Sequence, residues 1–198
     1  MSIENLNFAI FNLLNAPEHA SSFMVHYAIF IANDLLYLMI VVFAILWFRG
    51  DEQVKKQILK AFIFTCVTLS MSQLISHFFY SPRPFVMEVG QTLIQHQPTG
   101  SFPSNHMTIF SSIAFAYYFS LQRELGKLLI LVAWLVAWSR IYVGVHFPLD
   151  MIGAFLLALL VNFSGLMLWH KYKDLILNLV LSIYYRIFRP FIDKGYIK

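Results

Sequence analysis

Charged residues are scarce in this sequence: they make up 12% of the chain, whereas 59% of its residues are hydrophobic. A soluble globular domain usually carries about 25% charged residues. Long apolar runs with so little charge exclude an ordinary soluble domain and indicate an integral membrane protein. The net charge of +4 does not point to a nucleic-acid partner, because most of the basic residues flank the apolar runs.

Cysteine is nearly absent as well. The single cysteine, Cys66, lies inside an apolar run, which excludes a disulfide within the chain and favours a packing role. No lysine or arginine precedes Arg49, so no cleavable signal peptide is predicted, because such a signal starts with positive charge. Internal repeats, low-complexity tracts and linkers are also missing. We therefore expect a single membrane domain over residues 1–198, all of it α-helical.

Crossing the hydrocarbon core takes about 20 apolar residues. Five runs meet this requirement, and they are predicted to be transmembrane helices: 25–48, 57–80, 104–121, 125–143 and 148–169.

Two further segments are amphipathic rather than uniformly apolar. Residues 5–15 alternate polar and apolar side chains with a helical period and are too short to span, which predicts a helix in the membrane interface. In the tail, 174–191, the apolar run ends at Arg186, so an interfacial helix is favoured over a sixth span, which stays open.

The basic residues predict the orientation. With five spans, twelve of the fourteen lysines and arginines fall on one side, which should be cytoplasmic. The N-terminus and the loop 81–103 then face outward, and the C-terminus faces the cytoplasm. Arg83 and Arg140 are the two exceptions, and both lie on the outer side.

Three stretches on that outer side share the unusual residues. They read "SPRPF" (81–85), "FPSNHM" (102–107) and "SRIYVGVHFPLD" (139–150). Ionisable groups at membrane depth are costly and usually functional. Two arginines without a nearby fixed anion indicate an anionic ligand, and a guanidinium matches phosphate oxygens in a bidentate fork.

The local sequence suggests how these stretches act on an anion. Ser104 is a plausible N-cap and Pro148 suits a first helical turn, so two helix N-termini are predicted to present free N–H donors. His146 and Asp150 are four residues apart, which lets the carboxylate orient the imidazole as a nucleophile. His106, from another helix, can protonate the leaving oxygen.

These residues resemble the three-part signature of the type 2 phosphatidic acid phosphatase superfamily, K-x6-R-P, P-S-G-H and S-R-x5-H-x3-D. The third part is complete here, with Ser139, Arg140, His146 and Asp150 in place. The second reads Pro-Ser-Asn-His over 103–106. The resemblance covers about residues 70–155, and within the superfamily it is greatest to the bacitracin-resistance (BcrC-type) undecaprenyl pyrophosphate phosphatases.

The resemblance implies a phosphatase that needs neither metal nor other cofactor. His146 would form a phosphohistidine, Asp150 would orient it, and His106 would protonate the leaving lipid phosphate. The residues that would hold the transferred phosphoryl group are Arg83, Ser104, Asn105 and Arg140.

The sequence departs from the signature at two positions. Ser76 stands where the lysine of the first part is expected, and Gln73 or His77 is a candidate replacement. Asn105 replaces the glycine of the second part, which keeps the backbone N–H but adds a side chain.

Four more polar residues are candidates for substrate contact, each with a bland alternative of packing or solvation. They are Ser139, Glu88, His96 and Asp34, the last an acid inside the first predicted span.

The resemblance predicts an enzyme that hydrolyses undecaprenyl pyrophosphate, a polyprenyl lipid, at the outer face of the cytoplasmic membrane, with no obligatory protein partner. Phosphatidylglycerophosphate or phosphatidic acid hydrolysis, and transfer of the phosphoryl group to another lipid, remain alternatives with the same chemistry. A non-catalytic alternative is a lipid-binding or transport subunit. That alternative leaves His106 and the spacing of His146 and Asp150 unexplained.

Overall fold

The computed structural model describes residues 2–198. Strands do not occur in this range, and eight α-helices follow one another along the chain. Their bounds are α1 Ile3–Leu14, α2 Ser22–Ile29, α3 Leu35–Arg49, α4 Glu52–Phe78, α5 Asn105–Tyr118, α6 Arg123–Tyr142, α7 Pro148–Ser164 and α8 Leu166–Ile192.

The first predicted span is one long helix with a local change of pitch. A π-helical turn at Phe30–Asp34 joins α2 to α3, and together they cover Ser22–Arg49, 28 residues. Asp51 then caps α4 through a hydrogen bond from the Val54 N–H, which explains why α4 begins five residues before the predicted boundary at 57.

Helix α5 forms the centre of the bundle. It packs against α4, α6 and α7, and ten of its residues are buried, including Met107, Phe110 and Phe115. Its 14 residues are fewer than the roughly 17 to 25 of an ordinary span. A helix surrounded by other helices need not face lipid along its full length.

The bundle has two ends, which we call the site end and the link end. The site end carries the loops around Arg83 and His146, and the link end carries Gly50, between α3 and α4. Two lysines of α4 are buried near the link end. Lys60 donates to the carbonyls of Ala116 and Phe119, and so satisfies the last carbonyls of α5.

The N-terminal helix α1 lies across the site end, where it packs against α6 and α7. Phe11 is fully buried, and its ring centroid lies 5.0 Å from that of Phe147. Asn15, the C-cap, donates to the carbonyls of Gln91, Ile141 and Tyr142 and accepts from the Gln91 N–H. An α-helix is therefore confirmed in this segment, and it holds the loop before α5 in place.

The tail differs in its boundaries from the prediction. Helix α7 stops at Ser164, and α8 runs for 27 residues over 166–192. By length and composition α8 qualifies as a membrane span, as do Ser22–Arg49, Glu52–Phe78 and Arg123–Tyr142, and α7 is a shorter apolar helix. The bundle is therefore that of a membrane protein.

The packing of α8 shows where it lies. Trp169 near its start packs on Phe64, and Tyr184 near its end packs on Phe48. Lys198 beyond the helix donates its N–H to the Phe48 carbonyl. These contacts progress along α4 and α3 toward the link end, so α8 does not return to the site end.

Candidate active site

The pair of His146 and Asp150 lies at the base of the site, and both side chains are buried. His146 Nδ1 is 3.2 Å from Asp150 Oδ2. The same carboxylate oxygen accepts from the Phe147 N–H at 2.8 Å and from the Ser101 hydroxyl. Three groups thus fix the carboxylate, and the carboxylate in turn orients the imidazole.

The other ring nitrogen of His146 faces Arg83. Arg83 Nη1 is 3.0 Å from His146 Nε2 and also donates to the Val145 carbonyl. A guanidinium has donors only, so Nε2 must accept and Nδ1 must carry the proton that is donated to Asp150. The structure therefore holds the tautomer in which Nε2 has a free electron pair, as a nucleophile requires.

Arg83 is fixed by the loop that precedes α5. Its Nε donates to the Thr99 carbonyl, and its Nη2 donates to the Gly100 carbonyl and the Thr99 hydroxyl. Burial lowers the pKa of the Arg83 guanidinium, but an arginine remains charged at neutral pH.

Arg140 enters from α6 and is 1% exposed. Its Nη1 donates to the Ala32 carbonyl and to Asn33 Oδ1, both at 3.2 Å. Its Nε and Nη2 are buried and have no hydrogen-bond partner within residues 2–198. Buried donors without a partner are costly, so these two groups indicate a place for an anion.

The π-helical turn brings Ala32 and Asn33 to Arg140. Such turns are often found at functional sites. Asp34, the candidate that the sequence singled out in this segment, is exposed and has no hydrogen bond or ion pair among the described residues. Its neighbour Asn33 is the residue that reaches the site.

Helix α5 begins at the site as predicted. Ser104 is its N-cap, fully buried, and its N–H donates to the Asp150 carbonyl at 3.3 Å. The N–H groups of Asn105 and His106 precede the first hydrogen bond inside the helix, so they are available to an anion. Arg140, His146, His96 and Arg83 are all near enough to His106 to affect its ionisation.

The second predicted helix N-terminus is not available to an anion, and that part of the prediction is wrong. The Leu149 N–H at the start of α7 donates to Asn7 Oδ1 of α1, and the Asp150 N–H donates to the Phe147 carbonyl. Pro148 has no N–H to offer. Helix α1 therefore occupies the position that the sequence suggested for phosphate.

His96 joins the site from the loop before α5. Its ring centroid is 6.4 Å from that of His146, with the planes 74° apart. His96 is half-buried, and its Nδ1 is 3.0 Å from the Gln97 carbonyl. The site therefore holds three histidines and two arginines.

The structure does not place the other candidate residues, Ser139, His77 and Glu88, beside the three histidines and two arginines of the site. The hydroxyl of Ser139 donates to the Val136 carbonyl of its own helix. His77 and Glu88 are exposed, and no hydrogen bond of theirs is found within the described chain.

At the position of the missing signature lysine, Ser76 packs against Gly100. The Ser76 hydroxyl lies so near Gly100 that a Cβ on Gly100 would approach it to 2.5 Å. Gly100 in turn accepts from Arg83. Gln73 donates to Asn105 Oδ1 at 3.0 Å, so it stands at the mouth of the site, whereas His77 points away.

Charge and burial set the state of His146. Burial, with the charges of Arg140 and Arg83, lowers the pKa of His146 well below its ordinary 6.5. The imidazole is therefore neutral at neutral pH. A neutral imidazole whose lone pair faces the Arg83 guanidinium can attack an electrophile that Arg83 binds.

A groove of about 770 Å³ leads away from the site between α3, α4 and α5. Its walls are apolar, and two of its residues, Leu36 and Ile109, lie one helical turn beyond Asn33 and His106 respectively. The groove continues toward Trp47 at the link end, and the thiol of Cys66 lines it.

Sequence reasoning missed two residues of the site, Ser101 and Asn33. Ser101 immediately precedes the stretch 102–107, but nothing in the sequence shows that it pairs with Asp150, 49 positions away. Within residues 2–198 there is no group of three or more His, Cys, Asp or Glu side chains placed to hold a metal ion.

Comparisons with known proteins agree with this geometry. Residues 57–175 match the model of the PAP2 superfamily. The chain is 34% identical to the putative undecaprenyl-diphosphatase YbjG of Escherichia coli (strain K12), over 99% of both chains. It is 31% identical to the undecaprenyl-diphosphatase BcrC of Bacillus subtilis (strain 168), over 96% of this chain and 95% of that one.

Among solved structures, the crystal structure of LpxE from Aquifex aeolicus superposes with a TM-score of 0.63 at 28% identity, covering 84% of this chain and 99% of that one. The family match covers more than half of the chain and includes Arg83, His106, Arg140, His146 and Asp150. The chain therefore belongs to the PAP2 superfamily.

Proposed function

We propose that this protein is a membrane lipid pyrophosphate phosphatase that hydrolyses undecaprenyl pyrophosphate to undecaprenyl phosphate. The observation that carries the proposal is that His146 Nε2, an electron-pair donor, lies 3.0 Å from Arg83 Nη1 in a site where Arg140 has two buried donors without a partner. The names of the two full-length relatives support the choice of substrate.

In the first half of the reaction the terminal phosphate binds to Arg140, Arg83 and the N–H groups that begin α5. Nη1 of Arg83 turns from His146 Nε2 to a phosphoryl oxygen and uncovers the nucleophile. Nε2 attacks phosphorus, and the bond from phosphorus to the bridging oxygen breaks. His106 donates its proton to that oxygen, and undecaprenyl phosphate leaves.

In the second half His106 accepts a proton from water, which attacks the phosphohistidine. The bond between phosphorus and nitrogen breaks, inorganic phosphate leaves, and His146 returns to its starting tautomer. Asp150 supports both halves, because its carboxylate stabilises the positive charge that the imidazole acquires. Arginines and helix N–H groups neutralise the phosphate, so no metal ion takes part in the proposed reaction.

The groove between α3, α4 and α5 fits the tail of the substrate. Its length runs along the bundle from the site toward the link end, and its walls offer no charge to a hydrocarbon chain. A pyrophosphate bound at Arg140 would place its prenyl chain at Leu36 and Ile109, where the groove begins.

We also propose that the site faces the outside of the cytoplasmic membrane. The loops of the site end carry Arg83 as their only lysine or arginine between residues 79 and 104, whereas Arg49, Lys56 and Arg123 stand at the link end. Such segregation supports a cytoplasmic link end.

The test is phosphate release by the detergent-purified protein from undecaprenyl pyrophosphate, phosphatidylglycerophosphate and phosphatidic acid. We expect preference for the pyrophosphate, retention of activity in EDTA, and inhibition by vanadate, which mimics pentacoordinate phosphorus. His146→Ala should abolish turnover and the acid-labile phosphoenzyme, whereas His106→Ala should slow turnover by about 10²- to 10⁴-fold.

Three outcomes would contradict the proposal. They are release of phosphate from phosphatidic acid in preference to the pyrophosphate, loss of activity in EDTA that magnesium restores, and a phosphoenzyme that persists in His146→Ala. Ser139→Ala is the matched control, since that hydroxyl bonds only within its own helix, and it should retain activity.

A further inference from the structure

His96 is a polar residue of the site that the two-histidine reaction leaves without a role. It lies outside the three signature stretches, yet its ring is 6.4 Å from the ring of the nucleophile His146. Phe85 packs beside it, with ring centroids 6.3 Å apart. A histidine so near the reacting atoms is in reach of the substrate.

The loop holds His96 in place from both sides. Upstream, the Leu93 N–H donates to the Val143 carbonyl, and Gln91 is bonded to Asn15 of α1. Downstream, Thr99 and Gly100 accept hydrogen bonds from Arg83. The position of His96 is therefore defined by α1, by α6 and by a residue of the site itself.

The hydrogen bond of Nδ1 defines what His96 can do. The Gln97 carbonyl, 3.0 Å away, can only accept, so Nδ1 carries a proton. Nε2 is then the free atom of the ring. It accepts when the ring is neutral, and it donates a charge-assisted hydrogen bond once the ring has taken up a second proton.

The transferred phosphoryl group already has its donors. Arg140 offers two unpartnered groups, Arg83 offers one that it shares with His146, and α5 offers two backbone N–H groups. A pyrophosphate has a second, lipid-linked phosphate, which remains anionic as it leaves. Of the charged and titratable groups around the site, Arg83, Arg140, His106, His146 and Asp150 already act on the first phosphate or in the reaction, and Tyr80, near Arg83, is exposed.

We infer that His96 binds the second phosphate of a diphosphate substrate through Nε2 and thereby selects diphosphates over monophosphates. This inference rests on the proposed phosphatase activity and names the residue that decides its substrate class. His96 is a binding residue here, whereas His106 handles the proton of the bridging oxygen.

The electrostatics agree with this role. Burial and the charges of Arg83 and Arg140 lower the pKa of His96 from 6.5. Bound phosphates offset those two charges, and the Gln97 carbonyl stabilises the protonated ring through Nδ1. Diphosphate binding should therefore be accompanied by proton uptake at His96.

The experiment compares two substrates with the same tail, farnesyl pyrophosphate and farnesyl monophosphate, in purified wild type, His96→Ala and His96→Gln. In His96→Ala we expect KM for the pyrophosphate to rise about 10- to 100-fold, the range of one charge-assisted hydrogen bond. The affinity for the monophosphate, measured as substrate or as competitive inhibitor, should change less than about threefold.

His96→Gln distinguishes a binding role from a purely structural one, because only a binding role predicts a change in the pH dependence of KM. Its amide is a donor at every pH, so it should recover part of the pyrophosphate affinity. It should also remove the rise of KM with pH that we expect of the wild type. Gln97→Ala is the matched loop control, because only the Gln97 backbone is bonded to His96.

The inference is overturned if His96→Ala weakens both substrates equally, or if it leaves the pyrophosphate KM unchanged. Either result would stand apart from a failure of the proposed function, because that failure would appear in the wild type as absent turnover of farnesyl and undecaprenyl pyrophosphates. Equal thermal stability of the three proteins would separate a local effect from misfolding.

Discussion

Arg83 lies against the ring nitrogen of His146 that is the nucleophile of the proposed reaction. Its Nη1 occupies the lone pair of His146 Nε2 and the carbonyl of Val145 at once. A phosphoryl oxygen is a stronger acceptor for a guanidinium than a neutral imidazole nitrogen is. In the proposed reaction, a bound phosphate would draw Arg83 away from His146 Nε2, so substrate binding would expose the nucleophile.

Asn33 is predicted to position Arg140. Asn33→Ala removes one of two acceptors for Arg140 Nη1, and we expect kcat/KM to fall by about 10- to 100-fold, because hydrogen bonds to charged groups are among the stronger ones. Vanadate inhibition should weaken in parallel. The control is Asp34→Asn, one residue away and exposed, which should stay near wild type.

If Asp34→Asn lost as much activity as Asn33→Ala, the intramembrane acid would be the functional residue and the assignment of Asn33 would be wrong. Steady-state kinetics in the same detergent, with equal amounts of folded protein, decide between the two residues.

The pH dependence of the reaction follows from His146. Because burial and two guanidinium charges lower its pKa well below 6.5, the ring stays neutral and nucleophilic as the pH falls through 6.5. We expect the acid limb of kcat/KM to lie below pH 6.5, in a profile measured from about pH 4.5 to 8.

Protonation of the substrate itself could also shift the acid limb of kcat/KM. The pH profile is therefore measured with two substrates. A limb shared by a pyrophosphate and a monophosphate belongs to the enzyme. A shared limb at or above pH 6.5 would contradict the environment described for His146.

At the scale of the elements, α1 and the π-helical turn position the residues of the site although neither contributes a catalytic group. Helix α1 caps the start of α7 through Asn7 and fastens the loop before α5 through Asn15. The π-helical turn within the first span carries Ala32 and Asn33 to Arg140. Each element serves to hold one arginine, one loop or one helix end.

The groove between α3, α4 and α5 leads to a prediction that uses the one cysteine of the chain. Cys66 lines this groove and is exposed. Alkylation with pyrene maleimide should fill it, and we expect turnover of undecaprenyl pyrophosphate to fall at least about tenfold, because the tail loses its apolar surface. Farnesyl pyrophosphate, with a much shorter tail, should be affected far less.

Cys66→Ser is the control, because it removes the reactive thiol and should keep full activity after the same treatment. Equal loss with both tails would indicate a general distortion of the bundle. No loss with either tail would mean that the lipid chain lies elsewhere.

At the scale of the whole molecule, two questions can be tested together: which end of the bundle faces the cytoplasm, and whether α8 crosses the membrane. Single cysteines can be placed in a Cys66→Ser background at Glu88, Asp51 and Lys194, and a membrane-impermeant maleimide applied to intact cells. We expect labelling of Glu88→Cys in intact cells, and labelling of Asp51→Cys and Lys194→Cys only after permeabilisation, because basic segments stay in the cytoplasm.

Labelling of Lys194→Cys in intact cells would show that α8 crosses the membrane. Labelling of Asp51→Cys in intact cells would reverse the whole orientation, including the outward site. The two results are distinguishable because Asp51 lies between α3 and α4 and is independent of α8.

The sequence by itself was sufficient for the class of the protein and most of its site. Spans are recognisable because hydrocarbon tolerates few charges, so the apolar runs and the helices between 22 and 164 agree within a few residues. Arg83, Ser104, His106, Arg140, His146 and Asp150 could be named because arginine, histidine and serine at membrane depth need a functional reason.

Only the tertiary structure decided which groups meet. Asn33, rather than Asp34, faces Arg140 because a π-helical turn changes the rotation of the helix there, and helical periodicity does not reveal such a turn. Asn7 occupies the N-terminus of α7, and Ser101 pairs with Asp150. His96 lies beside His146 because hydrogen bonds to Asn15, Val143 and Arg83 hold its loop. A linear pattern encodes faces and spacings, whereas long-range hydrogen bonds arise only when the chain is packed.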